Sequence, residues 1–401
     1  MMNFKGVDYY NIDDLLSDDE KLVRDSVREF LEKEVKPLIV DAFQNEKPLN
    51  MKELAPKMGE LGMIGGPVPE EYGGPETSYM EFGLICHELE RVDGALRSFA
   101  AVQSALFMYP IWKFGSEEQK HKWLPHIAKG KKIGCFGLTE PNHGSDVAGM
   151  DTVAKKDRDE WVIDGSKEWI SEASVADVAL VFARADEGVR GFFVERGTEG
   201  FTQAFQGKKG SMRCGDVGEL AFSNCRVPSE NILPKTTGSG LRGVFMTLNQ
   251  ARHGISWGAI GAAEDCYETA LNYAKKREQF GSPIASYQLV QAKLVKMLTE
   301  ITKGQLLSYR LSRLMDEKKE RHQQISMAKM NNVSVARYCA RTAREILGAN
   351  GVSYDYSPMR HMGNIEAVYT YQGTSDIHTL ILGQDITGIS AFTREFKTKE
   401  R

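Results

Sequence analysis

The glycines in Gly238-Ser239-Gly240-Leu241-Arg242-Gly243 have the spacing that lets a strand-to-helix turn cradle a dinucleotide pyrophosphate. The surrounding sequence refuses that chemistry. Pro228 and Pro234 separate the motif from the nearest β-rich run, and helical sequence rather than a second strand follows, so the segment reads as a hinge between domains. The GxxxxGK[ST] phosphate loop, the HExxH zinc helix and the GxSxG nucleophile elbow do not occur in the chain. Cys86, Cys135, Cys214, Cys225, Cys266 and Cys339 are scattered without a CxxC pair. They give no metal-ligand spacing and no disulfide framework, and read as small buried apolar groups.

The bulk properties narrow the class of chemistry further. The chain has 401 residues, 41% apolar and 26% charged, with a formal net charge of −4. It can bury a large core in two or three domains. Its basic residues are interspersed with acids, so nucleic acid and anionic lipid are not expected partners. No apolar run approaches the roughly 18 residues of a membrane span. The acidic start MMNFKGVDYYNIDDLL lacks a signal-peptide core and an Arg-rich transit segment. The expected location is cytoplasmic, or the mitochondrial matrix after processing.

The elements that must position any site follow from periodicity. From Ser17 a Ser-x-x-Glu capping box leads into apolar residues at Val23, Val27, Phe30 and Leu31, an amphipathic helix, and helical patterns continue to about residue 130. Between 131 and 235 short β-rich runs take over: 178–185, 190–197 and 218–228. Asp186-Glu187-Gly188-Val189 reads as a turn between two of them, and Asp164-Gly165 as a hairpin signal. The period of 3.6 returns over 241–276, 285–317, 322–347 and 365–390. The fold class expected is α+β: an N-terminal α-helical domain (1–130), a middle antiparallel β-domain (131–235) and a C-terminal four-helix bundle (236–401).

Several longer segments resemble the acyl-CoA dehydrogenase family, in the family's order from about residue 15 to 395. GCFGLTEPNHGSDVAGM (134–150) resembles its flavin-contacting signature. The resemblance implies FAD beside Phe136, Leu138, Thr139 and Ser145, whose hydroxyls and backbone N–H groups suit the acceptor-rich flavin edge and pyrophosphate. GSKEWISEA (165–173) resembles the second flavin segment, with Trp169 covering the isoalloxazine and Ser171 on its polar edge. By residue type alone Trp169 reads as core. KKREQFG (275–281) and REILGANG (344–351) resemble segments that reach a neighbouring subunit's FAD. Arg277, Gln279 and Phe280, with Glu345, Leu347 and Gly348, would line it, although Arg277 alone reads as a surface charge. Thr374 and Asp376 complete the implied cofactor set. A homotetramer, and an electron-transfer flavoprotein as acceptor, are implied with it; no metal is.

MTLNQARHG (246–254) resembles the CoA-binding stretch, with Asn249 and Arg252 as the matching polar positions and Arg252 suited to phosphate. Residues 86–119 and 347–392 are most similar to the glutaryl-CoA dehydrogenase branch. There Arg97 and Ser98 would hold the far carboxylate of a short dicarboxylic acyl-CoA, with Glu90 in the same network; an Arg fork suits a carboxylate. Without that resemblance Arg97 and Glu90 read as a helix-surface ion pair. Tyr371 and Gly373 are implied on the substrate side.

One position departs from the family. Where its Tyr-Glu-Gly-Thr motif carries the general base, this chain reads Tyr371-Gln372-Gly373-Thr374. A carboxamide has no lone pair basic near neutral pH, so Gln372 cannot accept the α-proton. The alternative base position of some relatives is Ala251, and Glu366 reads as structural. Three readings follow: an engineered inactive variant, flavin chemistry that needs no α-proton abstraction or recruits another base, or a catalytically silent protein that binds FAD and acyl-CoA.

Overall fold

The computed structural model describes residues 6–234 and 241–391. The glycine-patterned positions 238–240, the expected boundary at 235/236 and Phe392 lie outside them.

Seven helices open the chain: α1 (Asp18–Phe30), α2 (Lys36–Gln44), α3 (Met51–Glu60), α4 (Tyr79–Val92), α5 (Gly94–Ala101), α6 (Tyr109–Phe114) and α7 (Glu117–Ala128). The expected capping box starts α1: Glu20 N–H donates to Ser17 Oγ at 3.2 Å, and Ser17 N–H to Glu20 Oε2 at 2.9 Å. Ser78 with Glu81 and Ser116 with Gln119 start α4 and α7 in the same way. Each box satisfies two otherwise orphaned helix-end donors. Between α5 and α6 the helix widens into a buried π turn over Val102–Met108.

Seven strands then form one sheet: β1 (Gly134–Gly137), β2 (Val153–Asp157), β3 (Glu160–Ser171), β4 (Val178–Ala185), β5 (Gly188–Glu195), β6 (Phe201–Phe205) and β7 (Val217–Pro228). The sheet is not antiparallel throughout. β1 pairs with β4 in parallel, Gly134 opposite Val178, because the β2–β3 hairpin is inserted between them in the chain. Turn signals mark adjacent hairpins only and cannot show such a crossover. Asp164-Gly165 is also not a turn. The hairpin turns at Arg158 and Asp159, whereas Gly165 sits in a bulge of β3 at φ +142°, where a Cβ would lie 2.6 Å from Thr152 Oγ1. The turn at Asp186-Glu187 joins β4 to β5 as expected. The N-terminal helices and the sheet share one apolar core, running from Val27 through Phe107 and Leu180 to Val227.

After the sheet come α8 (Arg242–Lys276), a small hairpin of β8 (Glu278–Gln279) and β9 (Ser282–Pro283), then α9 (Gln288–Asp316), α10 (His322–Ile346), α11 (Ser357–Thr370) and α12 (Ser375–Thr387). The expected single helix over 365–390 is two helices broken at 371–374, so the described bundle has five members. Among the described residues no helix is long and apolar enough to cross a membrane.

α8 approaches α4 closely because Gly254, Gly258 and Gly261, spaced i, i+4, i+7, share a face. A Cβ at Gly261 would lie 2.1 Å from His87 O, and one at Gly258 would lie 2.2 Å from Glu90 Oε2. This contact sets Glu90, and through it Arg97, deep between the two helices.

Candidate active site

Asp93 ends α4 and caps α5, its Oδ1 accepting from Ala95 N–H at 2.9 Å. Its Oδ2 accepts from Arg360 Nη1 and Asn364 Nδ2, which ties α11 to the same corner. One turn into α5, Arg97 is fully buried. Its Nε donates to Glu90 Oε2 at 2.6 Å and its Nη2 to the Tyr371 hydroxyl, whereas Arg97 Nη1 and Glu90 Oε1 have no partner. Burial works against the guanidinium charge, but Glu90 and Tyr371 more than offset it and hold Arg97 cationic. A surface ion pair is therefore not what the structure contains. Removing one partner of such a buried pair costs about 3–5 kcal/mol. One nitrogen of the fork, Nη1 with its two N–H groups, remains free. Ser98, next to it, is half-buried.

The break between α11 and α12 lies against this pair. Gln372 has φ +52° and Gly373 φ +96°, left-handed conformations that no helix continues through. Thr374 restarts the helix as an N-cap, accepting from Ile377 N–H at 3.1 Å. The backbone of the break is held by buried cations. Lys329 Nζ donates to Tyr371 O at 3.1 Å and Gly373 O at 2.8 Å, and Arg252 Nε donates to Gln372 O at 2.8 Å. Arg252 also donates from Nη1 to Asn249 Oδ1 at 3.0 Å. Arg252 is thus a clamp on the loop and only 7% exposed. Burial pulls its pKa down to about 10. Burial, with Arg252 and Arg97 nearby, pulls Lys329 down to about 7. Among the described ion pairs neither Arg252 nor Lys329 has a carboxylate partner. His378 is buried with its ring against the backbone of Gln372 and Gly373, and burial lowers its pKa to about 3. Gln372 Oε1 is buried and unpartnered.

Lys329 and His378 were not singled out from sequence, although a signal for Lys329 existed. It falls on the buried face of α10 with Ile325, Ala328, Asn332 and Ala336, where an uncompensated Lys needs a reason. The two positions considered as substitutes for a base supply none: Ala251, buried beside Arg252, has no titratable group, and Glu366 pairs with Arg337 at 2.8 Å on the surface.

A second group of expected residues lies on the sheet. Phe136 and Leu138 are buried, while Thr139 is half-buried and Ser145 exposed in the loop that follows β1. Glu168 N–H donates to Thr139 O at 2.9 Å, joining this loop to β3. Lys167 Nζ reaches Leu138 O at 3.2 Å and Glu140 Oε1 at 2.7 Å beneath it. Glu140 also accepts from the backbone of Asp151 and Thr152, so although its carboxylate lies near His143 and Asp151, its oxygens are occupied. A bulge in β3 between Lys167 and Ile170 puts Trp169 at φ +61° and turns its indole outward, 55% exposed. Among the described residues the side chains of Thr139, Ser145, Trp169 and Ser171 form no hydrogen bonds, so an exposed aromatic face stands beside free hydroxyl donors. An isoalloxazine, with its broad face and acceptor-rich edge, fits this surface.

The remaining expected cofactor residues are gathered elsewhere. Arg277 lies at the end of α8, 25 residues after Arg252 and therefore about 37 Å along the helix at 1.5 Å per residue. It lines an open cavity of about 490 Å³ with Lys276, Asn350 and Tyr356, where Asn350 Nδ2 donates to Tyr273 Oη at 2.9 Å. Phe280, 97% exposed, projects from the β8–β9 hairpin, and Gln279 O accepts from Tyr287 Oη. Of the α10 end, Gly348 is exposed at φ +60°, Leu347 is buried, and Glu345 pairs with Lys293. Asp376 is exposed on the first turn of α12.

Three family descriptions match the chain: the N-terminal domain of acyl-CoA dehydrogenases over residues 17–131, the middle domain over 135–225 and the C-terminal domain over 238–387. A crystal structure of glutaryl-CoA dehydrogenase from Mycobacterium smegmatis is 47% identical, with a TM-score of 0.95 over 97% of this chain and 100% of the other. A second glutaryl-CoA dehydrogenase structure from that organism, in complex with FADH2, is 42% identical with a TM-score of 0.95, covering 98% of this chain and 100% of that one. The glutaryl-CoA dehydrogenase of Desulfococcus multivorans is 34% identical over 388 residues, 94% of this chain and 99% of the relative.

Proposed function

Because this chain belongs to the acyl-CoA dehydrogenase family of FAD-dependent oxidoreductases, we propose that it binds a short dicarboxylic acyl-CoA of the glutaryl type between the sheet and the C-terminal helices, without a general base at residue 372. Bound FAD would supply the acceptor for a hydride from the β-carbon of the acyl chain. Thr139, Ser145, Trp169 and Ser171 would hold its ring, and Arg97 and Ser98 would orient the far carboxylate.

The observation that carries this reading is the buried Arg97–Glu90 pair with its one free guanidinium nitrogen. A fork tied on two sides and open on the third selects a planar acceptor at a fixed place. Arg252 and Lys329 act as positioning residues for the loop that carries Gln372. Arg277, Gln279, Phe280, Glu345, Leu347 and Gly348 are too far along α8 and α10 to serve the same site. We assign them to the FAD of a second copy, in a homotetramer that passes electrons to an electron-transfer flavoprotein.

Gln372 favours a second reading, a silent subunit that binds FAD and acyl-CoA without turnover. Loss of a general base costs about 10²–10⁴ in rate. Titration of the holoprotein with glutaryl-CoA and butyryl-CoA, repeated in Arg97→Met, tests the binding site. The substitution should weaken glutaryl-CoA far more than butyryl-CoA; equal losses would remove Arg97 from the carboxylate role.

A further inference from the structure

The tripeptide Tyr371-Gln372-Gly373 is surrounded by more positive charge than the chain neutralises. Glu90 is the one carboxylate acting on this cluster; it pairs with Arg97 and also favours the charge of Lys329 from a distance, while Arg252 and Lys329, both buried and both donating to this tripeptide, have no carboxylate in direct contact among the described ion pairs. The nearby His378 ring is buried and adds no negative charge. Buried cations without a counter-ion are costly. A Glu at 372 would supply one; Gln372 supplies none, and its carboxamide offers an N–H donor where a carboxylate would repel an anion. The missing negative charge must then come from the ligand.

We propose that the acyl-CoA reacting here carries a carboxylate on its α-carbon, and that loss of this carboxylate as CO2 takes the place of α-proton abstraction. The inference rests on the reading that FAD and an acyl thioester share this site. The carboxylate occupies the position from which a proton would otherwise leave, facing the Gln372 amide. The bond between the α-carbon and the carboxylate breaks, and its electron pair becomes the new Cα=Cβ bond. The β-hydrogen leaves with its own electron pair as hydride to the oxidised flavin. Charge balances, since one negative charge enters on the carboxylate and one remains on the reduced flavin, with neutral CO2 and enoyl thioester as products. No group on the protein has to accept a proton. The substrate class is a 2-carboxyacyl-CoA, an alkylmalonyl thioester.

The test uses the holoprotein and two pairs of probes. Malonyl-CoA and acetyl-CoA, neither of which has a β-hydrogen to lose, report binding by calorimetry. Malonyl-CoA is expected to bind about tenfold or more tighter than acetyl-CoA. Gln372→Glu should abolish or reverse the preference, and Gln372→Ala should retain it. Mixed anaerobically, 2-carboxybutyryl-CoA should bleach the flavin with one CO2 released per flavin reduced, while butyryl-CoA leaves it oxidised. Equal affinities for malonyl-CoA and acetyl-CoA, or bleaching by butyryl-CoA at the same rate, would overturn the proposal. If glutaryl-CoA does not perturb the flavin at all, the proposed function itself fails. If glutaryl-CoA perturbs it but malonyl-CoA shows no preference, only this inference fails.

Discussion

Arg252 donates its Nε–H to the carbonyl oxygen of Gln372 at 2.8 Å, joining residues 120 positions apart. The bond fixes a left-handed residue at the break between α11 and α12 and so sets where its side chain points. Replacing Arg252 by Met leaves that carbonyl unpaired, at a cost of about 1–3 kcal/mol. Acyl-CoA affinity should fall about tenfold or more while unfolding shifts only modestly. A fall in stability with unchanged affinity would show that the clamp does not position the site.

Gly258→Ala puts a methyl 2.2 Å from Glu90 Oε2 and 3.1 Å from Arg97 Cγ. Glu90 must move, and Arg97 with it. Glutaryl-CoA binding should then weaken much more than butyryl-CoA binding, as measured by titration of the flavin spectrum; an equal effect on both would uncouple the pair from chain-end selection.

Stability should depend on pH through His87, which bridges α4 and α8 between Glu88 at 2.9 Å and Glu264 at 3.1 Å. Burial opposes its charge, but the two carboxylates more than offset this and raise it from 6.5 to about 9. A raised folded pKa contributes stability that is complete below 6.5 and lost as pH rises towards 9. Denaturation midpoints should therefore fall across that interval, and His87→Gln should flatten this part of the profile.

Ser17→Ala removes the capping box of α1, far from the loop at 371–374, and should cost about 1 kcal/mol of stability without changing acyl-CoA affinity. A change in affinity would mean that α1 communicates with the site.

What could be read from the sequence, and what could not, divides along physical lines. The Ser17 box, the β4–β5 turn and the long helical periods are local, and each appears where its residues placed it. The support of the break at Tyr371–Thr374 is not local. Gly373 and the Thr374 cap do mark a break in the sequence, but the buried cations Arg252 and Lys329 that hold its left-handed backbone come from α8 and α10. The parallel β1–β4 pairing and the depth of Arg97 are likewise tertiary; the latter follows from the α8 glycines. The resemblance singled out Arg97, Glu90, Tyr371, Gln372 and Arg252, which do meet; of the loop's buried neighbours Lys329 left a trace in the buried stripe of α10, whereas His378 became visible only in the fold.

The most direct measurement is anaerobic mixing of the FAD-loaded protein with glutaryl-CoA while following the visible absorbance of the flavin. We expect a shifted spectrum without bleaching, and bleaching at about 1 s⁻¹ or faster once Gln372→Glu restores a carboxylate. Rapid bleaching with Gln372 in place would contradict the claim that this site lacks a base for the α-proton.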